Sequence, residues 1–127
     1  MAIQLNHTIV AARDKAASAA FLTDLFGLPT ASPLGPFLAV QVDNDVTLDY
    51  VDSEGEITSQ HYAFLISEEE FDTIFGRITK RGLDYWADPH KEKPGEINHA
   101  DGGRGVYFDD PNGHKLEILT RPYGSGS

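Results

Sequence analysis

Apolar and polar residues alternate from the first residues. Ile3, Leu5, His7 and Ile9 fall on one face of an extended segment, which predicts a strand over 1–10. The period then lengthens. Asp14 is placed to cap a helix in which Phe21, Leu22, Leu25 and Phe26 recur at helical spacing, and Gly27 is placed to end it. Pro29, Pro33 and Pro36 break the next stretch into an irregular strand or loop. Segments 37–42 and 45–52 read as a hairpin turning at Asp43-Asn44.

The second half repeats this order. Segment 60–66 is an apolar strand containing His61. Ser67 and Glu70 form a capping box ahead of a helix with Phe71, Ile74, Phe75 and Ile78 along one side, and Gly82 stops it. A short strand is predicted over 83–87. A polar loop over 88–103 comes next, with Pro89, Pro94, Gly95, Gly102 and Gly103, and a loop of this length and composition is expected to be a lid or a binding loop. Segments 105–109 and 114–120 form a last hairpin through Pro111-Asn112-Gly113, where His114 reads as a turn residue. Strand-helix-strand-strand-strand therefore occurs twice. The expected fold is α+β, one domain over 1–123 built from two βαβββ modules over about 3–52 and 58–121. The repeat extends to residues. Asn6-His7 corresponds to Gln60-His61, Gly27-Leu28 to Gly82-Leu83, and 48–51 to 116–119, which sets Asp49 against Glu117.

Composition narrows the picture. The length of 127 residues suits one domain, and its 40% hydrophobic and 24% charged residues are an ordinary globular balance. There are no cysteines, so disulfides, zinc–thiolate sites and thiol nucleophiles are excluded. A net charge of −10 argues against a nucleic-acid partner. No apolar run approaches the roughly 20 residues of a membrane span, and no signal pattern opens the chain, so a cytoplasmic protein without a membrane partner is expected. Gly124-Ser125-Gly126-Ser127 has the composition of a linker and is left out of the fold reasoning.

One histidine early and one carboxylate late in each module is a pattern with chemistry in it. Two imidazoles and a carboxylate on one side of a site bind a divalent metal and leave positions open for a substrate or oxygen. A lone strand histidine is more often a hydrogen-bonded core or surface residue; the repeat is what argues otherwise. The segment 105–119, with its aromatic strand, Asp110-Pro111-Asn112-Gly113 turn and Glu117-bearing strand, resembles the best-known motif of the vicinal-oxygen-chelate superfamily, the glyoxalase/bleomycin-resistance/extradiol-dioxygenase proteins. The likeness runs from Leu5 to about Tyr123.

The resemblance implies a curved mixed sheet with a concave metal and ligand cleft, and His7, His61 and Glu117 as ligands of a divalent metal (Fe, Mn, Ni, Co or Zn). It implies a homodimer with sites shared between chains. The expected function is a metal-dependent enzyme acting on a small oxygen-rich substrate, as a glyoxalase-like lyase or isomerase or as an extradiol-type dioxygenase. The competing class is a sequestering protein of the bleomycin-resistance type. A fosfomycin-modifying role is disfavoured, because Arg121 alone supplies positive charge beyond the last strand. Asp49 stands where some members carry a second ligating carboxylate; a direct ligand, a water-mediated one, a general base and a plain strand residue all remain open. Tyr107 matches a cleft-facing aromatic position, to bond an anionic substrate or simply to pack. His99, in the long loop, is a catalytic candidate against the plainer reading of a solvated side chain.

Overall fold

A computed structural model describes residues 3–126. The chain divides into two compact units at Thr58–Ser59. Its α+β character is borne out, with two helices and two mixed sheets, of four and three strands. No described helix is long and apolar enough to cross a membrane.

The first unit runs β1 (His7–Ala12), α1 (Lys15–Phe26), β2 (Ser32–Leu34), β3 (Phe37–Gln41) and β4 (Thr47–Asp52), with sheet order β1-β4-β3-β2. Asp14 caps α1 by accepting the N–H groups of Ala16 and Ala17. Gly27, at φ 70°, ends it in the left-handed conformation that glycine adopts freely. The helix packs on one side of the sheet, where Leu22, Leu25, Val10, Ala12, Val40 and Leu48 are buried.

One expectation shifts in this unit. The strand expected over 1–10 begins at His7, because β1 pairs only with β4 and β4 begins at Thr47, opposite His7; Met1 and Ala2 lie outside the described residues. The apolar face read there is also the open one: Leu5 is 68% and Ile9 55% exposed, while Val10 and Ala12 fill the core.

The second unit runs β5 (His61–Leu65), α2 (Glu68–Lys80), a 3₁₀ turn (Ala100–Gly102), β6 (Gly105–Asp109) and β7 (Lys115–Leu119), with sheet order β5-β7-β6. The capping box forms as expected: Ser67 Oγ accepts the Glu70 N–H, and Glu70 reaches back to the Ser67 N–H. Phe71, Ile74 and Ile78 are buried. The strand expected over 83–87 shrinks to bridges at Trp86, one to Tyr107 and one to Pro94. Asp88 is the cause. Its carboxylate gathers the N–H groups of His90, Glu92 and Lys93 and turns the chain away from the sheet.

The loop after Asp88 is fastened along its length. Lys91 pairs with Asp109 at 2.6 Å and lies over the Trp86 ring. Lys115 donates to the Pro89 carbonyl, and Asn98 exchanges backbone hydrogen bonds with Gly105. These ties hold the loop against β6 and β7 at several points along its length. At the last hairpin, Asp110 accepts the N–H groups of Asn112 and His114, at 2.8 and 2.9 Å. His114 is no turn ornament: it is 1% exposed, accepts the Gln60 N–H at Nδ1, and meets Tyr62 edge-on. Asp110→Ala strands these donors and should lower stability by about 2 kcal/mol, read as a drop in the urea midpoint at unchanged slope.

Candidate metal centre

In the second unit the strand register assembles the site. Parallel pairing sets Ala63 opposite Glu117, with His61 two residues earlier, and antiparallel pairing sets Tyr107 opposite Glu117. Paired residues share a sheet face, so His61, Glu117 and Tyr107 stand together. His61 Nε2 lies 3.0 Å from Glu117 Oε1. Glu117 is 2% exposed and His61 44%. The His61 ring also stacks on Tyr107, centroids 5.8 Å apart.

The hydrogen-bond roles around His61 are informative. Its Nδ1 is 3.1 Å from the Lys115 carbonyl oxygen, which can only accept. A neutral imidazole has one N–H, so it can satisfy only one of the two oxygens that its nitrogens face, the Lys115 carbonyl and Glu117 Oε1. The other nitrogen then turns a lone pair toward an oxygen, which is favourable only with a second proton or a metal cation there. Two ligand atoms on bonds of about 2.1 Å, set at right angles, lie about 3 Å apart, so this pair fits a metal. His7 Nδ1 likewise faces an oxygen, Asn6 Oδ1, at 2.7 Å. An outer-shell oxygen on one nitrogen is the usual way a metal-binding histidine is oriented.

Tyr123 joins the second-unit group. Its hydroxyl lies 2.7 and 2.8 Å from the two Glu117 oxygens and 3.1 Å from the Tyr107 hydroxyl. Burial pushes the Tyr107 phenol above its ordinary value, and the Glu117 charge adds to this, while its hydrogen bond with Tyr123 acts the other way. Tyr123 is pushed up more strongly, first by burial of its hydroxyl and then by its bonds to Tyr107 and Glu117. Both phenols are therefore donors at neutral pH.

In the first unit, Asp49 lies opposite Ile9 and Ala39, on the face of β4 that also carries Thr47 opposite His7. It is 4% exposed, and its Oδ1 has no hydrogen-bond partner. A buried carboxylate oxygen without a donor is costly, and a ligand that supplies one removes the cost. Asp49 lines an open cleft of about 470 Å³ with Asn6, His7 and Thr47 as polar groups and Leu34, Pro36 and Phe37 as apolar walls.

The expected residues are thus gathered in two places. His7 and Asp49 line the cleft of the first unit, and His61, Glu117 and Tyr107 form the group in the second. No cluster of three His, Asp or Glu side chains able to hold a metal occurs among the described residues. His99 is exposed at the start of the 3₁₀ turn, with Nδ1 3.2 Å from the Gly103 carbonyl oxygen. Sequence reasoning missed Asn6 and Tyr123. Asn6 carried a signal, since it precedes His7 as Gln60 precedes His61. Tyr123 carried none, because its contact depends on the chain reversing after β7.

The family model for the Glyoxalase/Bleomycin resistance protein/Dioxygenase superfamily matches residues 4–118. Glutathione transferase FosA of Serratia marcescens is 31% identical over 121 residues, covering 90% of this chain and 78% of its own. Metallothiol transferase FosB of Lysinibacillus sphaericus (strain C3-41) is 28% identical over 128 residues, covering 91% and 81%. Among solved structures, that of Oxidase ChaP-H2 superimposes with a TM-score of 0.97 at 68% identity, over 100% of both chains.

Proposed function

Because the chain belongs to the glyoxalase/bleomycin resistance protein/dioxygenase superfamily, we propose that it is a divalent-metal-dependent oxidase whose metal is held by His7, His61 and Glu117. The observation that supports the metal is the matched pair of histidines: each sets Nδ1 against an oxygen, and His61 turns Nε2 to the buried Glu117 carboxylate at 3.0 Å. The support for oxidation over isomerisation or thiol transfer is the 68% identity to Oxidase ChaP-H2, against 31% to FosA. Two imidazoles and one carboxylate favour Fe(II) among the candidate metals. Such a metal supplies positive charge for neighbouring oxygens of a substrate and, as iron, a redox partner for dioxygen.

The protein's own groups do the rest. Leu34, Pro36 and Phe37 take the apolar body of a small substrate, and Asp49 Oδ1 accepts a proton or a hydrogen bond from its hydroxyl or amine. Tyr107, a neutral phenol at working pH, donates to an oxygen that gains charge. A homodimer is part of this reading. Leu5 and Ile9 are exposed beside His7, and Leu65 is 60% exposed on the His61 face of β5, apolar surface that a second copy would cover.

Fe(II)-loaded protein should consume dioxygen with a catechol or dicarbonyl drawn from a panel of small oxygen-bearing compounds, and a chelator should stop it. If a tight ligand is found whose affinity ignores the metal, and nothing is consumed with Fe(II), Mn(II), Ni(II), Co(II) or Zn(II), the protein sequesters rather than oxidises.

A further inference from the structure

The segment beyond β7 is not a free end. After Leu119, Thr120 is tied to Arg104 by two hydrogen bonds, one from its own N–H and one to its Oγ. The chain then turns: Ser125 donates to the Pro122 carbonyl through both N–H and hydroxyl. Asp101 clasps this turn, its carboxylate accepting the N–H groups of Gly124 and Gly126. Residues 120–126 form a strap anchored at both ends, with Tyr123 between the anchors.

The orientation of Tyr123 is the reverse of the usual one. A surface tyrosine normally buries its ring and leaves its hydroxyl in water. Here the residue is 64% exposed, while its hydroxyl reaches the 2% exposed Glu117 carboxylate and contacts both oxygens. Packing of the ring does not explain that geometry; the carboxylate contact does. The hydrogen-bond direction is also settled. An ionised carboxylate only accepts, so Tyr123 donates to Glu117, and Tyr107, 3.1 Å away, then donates to the Tyr123 oxygen. Two phenol protons are aligned toward one buried carboxylate.

We infer that Tyr123 is a positioning residue for the metal centre: carried by the strap clasped at Asp101, it holds the Glu117 carboxylate in the orientation that ligates the metal. This rests on the proposed metal reading. It assigns to the 120–126 strap a role in metal affinity that neither its composition nor the ligand set announces. Its removal leaves the ligand atoms in place and takes away only the outer partner, a loss that elsewhere costs 10–100-fold in metal affinity.

The test is Co(II) titration of the purified full chain, followed by visible absorption, for the wild type, Tyr123→Phe and Asp101→Ala, with thermal midpoints taken without metal. Tyr123→Phe keeps the ring and removes one hydroxyl. It should weaken Co(II) binding about 10-fold or more and change the Co(II) spectrum, because the carboxylate reorients. Asp101→Ala should do the same less strongly by loosening the strap, and it carries the test if Tyr123→Phe fails to fold. A structural role alone would lower the midpoint and leave the spectrum of the bound metal unchanged, and that result overturns the inference. So does Tyr123→Phe affinity within twofold of the wild type. Tighter binding in Tyr123→Phe also overturns it, since the phenol would then be competing with the metal for Glu117. Wild-type protein that takes up no Co(II) overturns the metal reading and this inference together, whereas wild-type uptake with an indifferent Tyr123→Phe overturns this inference alone.

Discussion

Glu117→Gln protein should take up almost no metal. The substitution keeps the volume of a side chain that is 2% exposed and removes its charge. Outer-shell losses alone cost 10–100-fold, so loss of the ligand's charge should exceed about 100-fold, and elemental analysis should fall from about one metal per chain to a trace. The metal-free variant should still fold, because a buried carboxylate is a burden on the apo protein and the amide is not. A thermal midpoint at or above the wild-type value, together with lost metal, separates a ligand from a structural residue; full occupancy in Glu117→Gln would remove it from the site. Uptake by the wild type should weaken in acid, since imidazole and carboxylate must be deprotonated to ligate.

The same variants test whether sites are shared between chains. His7→Ala and Glu117→Ala protein, unfolded and refolded together, form mixed dimers at random. If each site draws His7 from one chain and Glu117 from the other, half the dimers are mixed and each has one whole site and one doubly damaged site. Metal occupancy should then recover to about a quarter of the wild-type value. Dimers that recover nothing place each site within one chain.

The sequence was most legible where a local rule decides the outcome. Asp14 and the Ser67–Glu70 box start the helices where their side chains reach free N–H groups. The repeat of histidine and carboxylate was legible because strand parity is regular: β1 pairs with β4 as β5 pairs with β7, so Asp49 and Glu117 take matching places in their sheets. What was hidden depended on partners remote in sequence. The start of β1 is set by Thr47. The strand expected over 83–87 is undone by three N–H groups that Asp88 collects downstream. The open face of β1 was ambiguous for a different reason. Leu5 and Ile9 on one side and Val10 and Ala12 on the other are all apolar, and only the placement of α1 decides which side is covered. His114 and Tyr123 belong with the remote cases. Each looked like a turn or tail residue, and each is defined by a contact across a chain reversal, with Gln60 and with Glu117.

Asp49→Asn should separate binding of the metal from use of it. Asp49 shares with Glu117 its place in the module, and it differs in its surroundings. Glu117 has His61 and Tyr123 on its oxygens, whereas Asp49 Oδ1 is buried with nothing bonded to it and borders the cleft. In the proposed reading, that oxygen receives the substrate's donor. An asparagine oxygen can still accept a hydrogen bond, so substrate affinity should change only a few-fold. The amide cannot take a proton, so turnover should fall by about 10²–10⁴-fold, the range expected when a general base is removed. Metal affinity should stay within a few-fold, because this reading makes Asp49 a base and not a ligand. Stability should rise by about 1 kcal/mol, since an unpaired buried carboxylate oxygen gives way to a neutral group. The comparison that decides is a metal titration and a steady-state assay on the same preparation. A drop of about 100-fold in metal affinity would make Asp49 the fourth ligand. Unchanged turnover with raised stability would reduce it to a strand residue that the protein tolerates at a cost.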